Sequence, residues 1–179
     1  MAGGRAPLPG QGRLSAERPQ GAVRPARPAD AEAIAAIHSQ GIEERTATFE
    51  TRPQDPAAVS ELISHRTLCL VHEVGGEVAG FAKVGPYEDR SDYYAGVGEA
   101  TIFVARERRG QGIGRSLLEA LVEAARGRGL HKLTAKVMAA NAASLALFEG
   151  CGFRRVGTHL RHGRLEGEWL DVVLLELSL

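Results

Sequence analysis

The sequence predicts one α/β domain: a mixed, mostly antiparallel sheet with helices on both faces. Three observations predict it. Apolar residues recur at helical spacing up to about residue 64, and the period then changes to that of strands from Leu68. Helical segments later interrupt the strands twice. A glycine-rich turn, Arg109 to Gly114, joins an apolar strand to a strongly amphipathic helix.

Met1 to Gly21 is rich in Gly, Pro, Ala and Arg and carries no apolar stripe. It cannot offset the entropy of ordering itself, so 1-21 is expected to be a disordered leader, or the product of a start codon assigned too early. It lacks the apolar run of a secretory signal. The domain is expected over 22-179. Val23-Arg24 is a short first strand. Asp30 is placed to cap a helix whose stripe is Ile34, Ile37 and Ile42. A polar stretch, Glu43 to Gln54, crosses to a second helix. Asp55 caps it, Pro56 takes its first position, and Val59, Leu62 and Ile63 form its inner face.

Leu68 to Val74 and Glu77 to Val84 are strands, joined by Gly75-Gly76 as a two-residue hairpin turn. Gly85 to Gly98 is a polar loop holding Tyr87, Arg90, Tyr93 and Tyr94. Glu99 to Val104 is the next strand. A helix over about Arg115 to Arg126 follows, with Leu117, Leu118, Leu121 and Val122 on one side. Lys132 to Val137 is a strand, and Asn141 to Gly150 a helix ended by Gly150 and Gly152. Phe153 to Leu160 and Trp169 to Leu177 are the last strands. Between them Arg161 to Glu168 reads as a polar loop.

The 179 residues suit a single domain, and 44% hydrophobic with 25% charged residues is an ordinary globular balance. The net charge is zero, which points away from nucleic acid as a partner. No apolar run approaches the roughly 20 residues that span a bilayer, so no membrane association is expected. Cys69 and Cys151 form neither a disulfide framework nor a metal pattern and are read as reduced thiols of a cytoplasmic protein. The six histidines (His38, His65, His72, His131, His159 and His162) show no helical metal spacing, and no metal is expected.

The turn Arg109-Gly-Gln-Gly-Ile-Gly114 carries the chemistry. Its glycines let backbone approach a ligand closely, and a helix start offers free N–H groups to a phosphate. A pyrophosphate is expected here. The dinucleotide fingerprint fails, because Arg115 stands where the third glycine is needed. The P-loop fails too, because Gly114 is not followed by lysine.

What remains, Arg109 with Gly112 and Gly114, resembles the acetyl-CoA loop of the GNAT N-acetyltransferases. Asn141-x-x-Ser144-x-x-Leu147-Phe148-Glu149-x-x-Gly152-Phe153 and the strand Thr101-Ile-Phe-Val104 match that family as well. The resemblance spans about Val23 to Leu177 and implies the GNAT fold, with a splay at the cofactor strand. It implies acetyl-CoA as co-substrate, held by Ile102, Phe103, Val104, Arg109, Gly110, Gln111, Gly112, Ile113, Gly114, Arg115, Asn141, Ser144 and Phe148. Thr46-Ala-Thr-Phe-Glu50, Gly85-Pro-Tyr87 with Arg90 and Tyr93, Glu99 and Trp169-x-Asp171 are similar to the phosphinothricin-type branch. Lys132-Leu133 and Arg161-His-Gly-Arg-Leu-x-Gly-x-Trp-x-Asp171 look most like arsinothricin acetyltransferases, which implies a small amino acid bearing a tetrahedral anionic group as acceptor.

Within that resemblance Glu99 is the expected general base, taking a proton from the acceptor ammonium. Backbone N–H groups near Val104 are expected to stabilise the oxyanion. Many relatives carry a Tyr or His where this chain has Phe148, which has no proton to give, so water or unassisted departure of the thiolate takes that role. Arg90 is the expected anion binder, Phe49 an apolar wall or a core residue, and Tyr93 a hydroxyl at the mouth. Glu88, and one extra residue ahead of Glu99, depart from the phosphinothricin pattern. Methionine sulfone-like amino acids, a protein N-terminus, or acetyl-CoA sensing without turnover are the other readings. The branch resemblance implies a homodimer through the C-terminal strands.

Overall fold

The computed structural model describes residues 19–64, 67–87 and 92–179. Among them seven strands form one sheet, β1 (Ala22–Pro25), β2 (Leu68–Val74), β3 (Glu77–Pro86), β4 (Val97–Val104), β5 (Lys132–Met138), β6 (Arg154–Leu165) and β7 (Glu168–Ser178). The helices are α1 (Ala31–Glu44), α2 (Pro56–Ser64), α3 (Ile113–Gly127) and α4 (Ala142–Gly150). The strand order is β1-β2-β3-β4-β5-β7-β6. Only β4 and β5 run parallel. The mixed α/β fold expected from the sequence is therefore present. Most of the leader expected over 1-21 lies outside the described residues.

Strand alternation divides the core between the two faces. On one face α1 and α2 cover Cys69, Val71, Phe81 and Phe103 with Ile34, Ile37 and Val59. On the other, α3 and α4 cover Leu68, Leu70, Ala82, Leu133 and Leu175 with Ile113, Leu117, Leu121 and Phe148. Burying a residue such as Leu117, which is fully enclosed, contributes about 2 kcal/mol or more relative to leaving it exposed.

Local signals account for most boundaries. Gly75 and Gly76 have φ of 62° and 88°, the positive values a two-residue hairpin turn requires. Asp55 accepts from Ala57 N–H at 2.9 Å and caps α2 as expected. Gly112, at φ 80°, starts α3 at Ile113, two residues earlier than the apolar stripe indicated. Asp30 does not cap α1 with its side chain. Its carboxylate turns back to the Arg27 N–H at 2.7 Å and to both arms of Arg24 at 2.8 and 2.9 Å. The Arg24 guanidinium therefore holds the Asp30 carboxyl below its usual range. The charge pair ties β1 to α1.

Three expectations need correction. α1 runs on to Glu44, because Glu43 and Glu44 meet arginines of the glycine turn region rather than ending the helix. Leu62 is exposed: α2 meets its neighbours along the Val59 and Ile63 edge alone, and Leu62 falls outside that narrow stripe. Arg161 to Glu168 is no loop. β6 continues to Leu165 and returns through Glu166 and Gly167, at φ 48° and 97°, into β7. β6 is an edge strand whose side chains are almost all exposed. Its ladder with β7 satisfies the backbone without an apolar pattern, and bulges after Arg155 and His159 absorb the extra residues.

Candidate active site

Neighbouring strands part at the centre of the sheet. β4 and β5 pair only at Val97↔Lys132, Gly98↔Leu133 and Glu99↔Thr134. Beyond Glu99 β4 stays with β3 as far as Val104, while β5 follows β7 along its whole length. A cleft of about 720 Å³ fills the splay.

The register sets what β4 shows to that cleft. Ala105 N–H donates to Ala79 O at 2.9 Å. Hydrogen-bonded and non-bonded pairs alternate along an antiparallel ladder. Phe103, Thr101 and Glu99 therefore bond to β3, and the backbone groups of Ala100, Ile102 and Val104 turn toward the splay. Arg109 Nε already reaches the Val104 carbonyl at 3.1 Å from that side. The N–H groups of Ile102 and Val104 face the cleft, where an extended ligand can pair with them as an added strand would.

At one end of the cleft is the glycine turn. Gly110 and Gly112 both have positive φ. The first intrahelical bond at this end is Ser116 N–H to Gly112 O. The N–H groups of Ile113, Gly114 and Arg115 precede it and have no partner within the helix. A Cβ on Gly114 would come 3.0 Å from Leu147 Cδ2 and 3.7 Å from Val104 Cγ2. Glycine thus lets α3 approach β4 and α4 closely where all three line the cleft. The donor set fits a pyrophosphate, and the unpaired edge of β4 an extended arm.

The expected side-chain contacts are more structural than the motif suggested. Arg109 is held by Glu44 at 2.8 Å, which ties the turn to α1. Burial pushes the Glu44 carboxyl up, but hydrogen bonds from Arg106 and Arg109 outweigh it and hold Glu44 below its usual range. Arg115 donates to Gly150 O at 3.0 Å and ties α3 to α4. Asn141 caps α4 through Ser144 N–H at 3.0 Å and donates to Thr46 O at 3.1 Å, fixing the α1–α2 connection across the cleft. Gln111 folds back to Glu107 O, away from the cleft lining. Phe148 lines the cleft, packed edge-on against Phe153.

Glu99 stands where the two strands part. Its Oε2 accepts from Lys136 Nζ at 2.7 Å, and both side chains line the cleft. Strand parity puts Lys83, Glu99, Thr101, Phe103 and Lys136 on the α1–α2 face, opposite the residues that pack on α3. Phe49 lines the same end, and a Cβ on Gly163 would fall 2.3 Å from its ring. Phe49 is thus an apolar wall resting on β6 and 36% exposed, not a core residue.

The structure brings together Phe49, Glu99, the β4 backbone, most of the glycine turn, Asn141, Ser144 and Phe148. It does not bring in Tyr93. Tyr93 and Tyr94 share a short 3-10 turn, in which successive side chains point about 120° apart. Tyr94 packs on Tyr87, and Tyr93 faces outward at 95% exposure. Arg90 and Glu88 lie outside the described residues. Sequence reasoning missed His38, Lys83 and Lys136. A lysine inside an otherwise apolar strand, in Phe-Ala-Lys83-Val and Thr-Ala-Lys136-Val, was the available signal.

Burial pushes the Cys69 thiol up to about 11 and also raises Cys151, so neither is an activated nucleophile. Among the described residues no three His, Cys, Asp or Glu side chains converge as metal ligands would. No described helix is long and apolar enough to cross a membrane.

Known proteins are similar to this chain. The acetyltransferase (GNAT) family matches residues 34–153. An L-methionine sulfoximine/L-methionine sulfone acetyltransferase of Pseudomonas paraeruginosa is 33% identical over 165 residues, 88% of this chain and 94% of its own. A phosphinothricin N-acetyltransferase of Streptomyces viridochromogenes is 34% identical over 162 residues, 89% and 88% of the two chains. Among solved structures, yncA of Salmonella typhimurium, determined with its cofactor acetyl-CoA, aligns with a TM-score of 0.84. It is 29% identical over 88% of this chain and 92% of its own. With the splayed β4, the glycine turn and this family match over most of the fold, the chain belongs to the GNAT family of acetyl-CoA-dependent N-acetyltransferases.

Proposed function

We propose that this enzyme acetylates the α-amine of a small amino acid-like acceptor bearing a tetrahedral anionic or oxidised group, with Glu99 as general base. The observation that carries the reading is the position of Glu99. Its carboxylate lines the cleft where β4 leaves β5, beside the strand whose Ile102 and Val104 amides face the same space. Acetyl-CoA, when bound, supplies the activated thioester. Ile113, Gly114 and Arg115 amides would hold its pyrophosphate, and the β4 backbone its arm.

Glu99 accepts a proton from the acceptor ammonium, which frees the nitrogen lone pair for attack. Lys136 holds the carboxylate in place at 2.7 Å until the ammonium displaces it. The Val104 N–H donates to the oxygen on which charge develops. Phe148 offers no proton, so water protonates the leaving thiolate or it departs unassisted. Relatives named for phosphinothricin and for methionine sulfoximine and sulfone support a small amino acid as acceptor. The finer reading takes the tetrahedral group as phosphorus- or arsenic-centred, with a role in herbicide or antibiotic resistance and arsenic detoxification. The methionine sulfone relative favours a sulfone as the second candidate.

The reading includes a cytoplasmic homodimer. Val156, Leu160 and Trp169 are exposed on the β6–β7 edge hairpin, a surface suited to a second copy. The test is acetyl-CoA-dependent thiol release with phosphinothricin, arsinothricin and methionine sulfone, on wild type and Glu99→Gln. Rapid release with at least one, lost in the variant, is expected. No release with any of them, while acetyl-CoA still binds, overturns the acceptor class.

A further inference from the structure

The acceptor end of the cleft has two lysines on one face, and they are not equivalent. Lys136 is occupied by Glu99. Lys83 also lines the cleft, and among the described residues it makes no hydrogen bond or ion pair. It lies on β3 directly opposite Thr101 of β4 and Cys69 of β2. Glu99 is two residues along β4 from Thr101, on the same face. Diagonal neighbours of this kind have Cα atoms about 7–8 Å apart, within reach of long side chains. Lys83 and Glu99 therefore line one face of the same cleft, one as cation and one as anion.

The surroundings favour a ligand over a solvated surface lysine. Lys83 is only partly exposed. Its charge bears on Cys69 and on His38, which are both buried. The His38 ring packs on Phe103 with centroids 4.9 Å apart, and its Nδ1 is buried without a partner. Burial keeps this imidazole below its usual range, so it adds no competing positive charge at neutral pH. The carboxylates nearby are Glu99, already paired, and Glu50, whose Oε2 is 3.9 Å from His38 Nε2.

We propose that Lys83 binds an anionic group of the acceptor, so that the ammonium end of the same molecule is delivered to Glu99. The inference rests on the small amino acid reading and makes Lys83 a specificity residue that the sequence motifs did not name. The shared chemistry is a carboxylate or tetrahedral oxyanion. An α-carboxylate and a side-chain oxyanion are its two sources.

The experiment compares wild type with Lys83→Met and Lys83→Arg. Acceptors are phosphinothricin, methionine sulfone and methionine sulfone amide. A charge-assisted contact of this kind is expected to raise KM about 10- to 100-fold in Lys83→Met, with kcat changed less than about threefold. Lys83→Arg is expected to recover most of the loss. A loss with both acids, together with weak use of the amide by wild type, assigns Lys83 to the α-carboxylate. A loss with phosphinothricin alone assigns it to the side-chain oxyanion. An unchanged KM for both acids overturns the proposal while leaving the acceptor class intact. If wild type acetylates none of these, the acceptor class fails separately. Lys83 is then decided by titrating inorganic phosphate into CoA-saturated protein, with the pyrophosphate turn already filled. Binding at least about tenfold weaker in Lys83→Met supports an anion site, and equal binding refutes it.

Discussion

Replacing Gly114 with alanine separates folding from cofactor binding. Gly114 lies in the first turn of α3, where glycine costs about 0.5–1 kcal/mol relative to alanine. The new methyl would meet Leu147 Cδ2 at 3.0 Å, the flexible end of a side chain that yields by a few tenths of an ångström. The free protein is therefore expected to keep its Tm or gain about 1–3 °C. The methyl points at Leu147 and Val104, which both line the cleft, the proposed passage for the arm of acetyl-CoA. Overpacking of that kind costs about 1–2 kcal/mol, or roughly 5- to 30-fold in Kd. At a ligand concentration 100 times the wild-type Kd, tenfold weaker binding reduces ligand stabilisation from about 2.7 to about 1.4 kcal/mol. Titration calorimetry, with thermal unfolding in the presence and absence of acetyl-CoA, measures both quantities. An unchanged Kd in a normally folded variant would refute the assignment of this passage.

Glu99→Gln is expected to lower kcat by about 100- to 10,000-fold. Its exposed ion pair with Lys136 contributes at most about 1 kcal/mol, so Tm should hardly move. Asp30→Asn removes the bidentate partner of Arg24 and leaves it Glu73 alone, which accepts from its Nε at 2.8 Å, so the change should cost about 1–2 kcal/mol at neutral pH, read by denaturant unfolding. The folded Asp30 carboxyl is held below its unfolded value, so this stabilisation is complete above about pH 4 and is lost as pH falls through the folded value. The gap between wild type and variant should close on acidification; a gap independent of pH contradicts the pair. Cys69, pushed up to about 11 by burial, should resist iodoacetamide at pH 7.5 until the protein unfolds, as mass spectrometry of timed samples would reveal.

The chain order of elements, the Gly75-Gly76 hairpin, the Asp55 cap and the glycine turn ahead of α3 were all legible in the sequence. Each is decided by a few adjacent residues: glycines at positive φ, a capping carboxylate, an apolar stripe of fixed period. The family motif was legible for the same reason. The β6–β7 hairpin was misread because an exposed edge strand needs ladder partners, not apolar side chains, and those partners are remote in the chain.

Only the tertiary structure decided which charges meet. Glu99 and Lys136 are 37 residues apart and touch because β4 and β5 pair for three positions and then part. Arg109 and Asn141 carry the motif, yet their side chains mainly fasten α1 and the α1–α2 connection to the cleft. Tyr93 turned outward because Tyr94 took the packing position on Tyr87. Lys83 emerged as a cation of the cleft because strand register put it beside Thr101 and diagonal to Glu99. Periodicity says which residues share a face of one strand. The pairing of distant strands, fixed by the whole core, says which faces look into the same space.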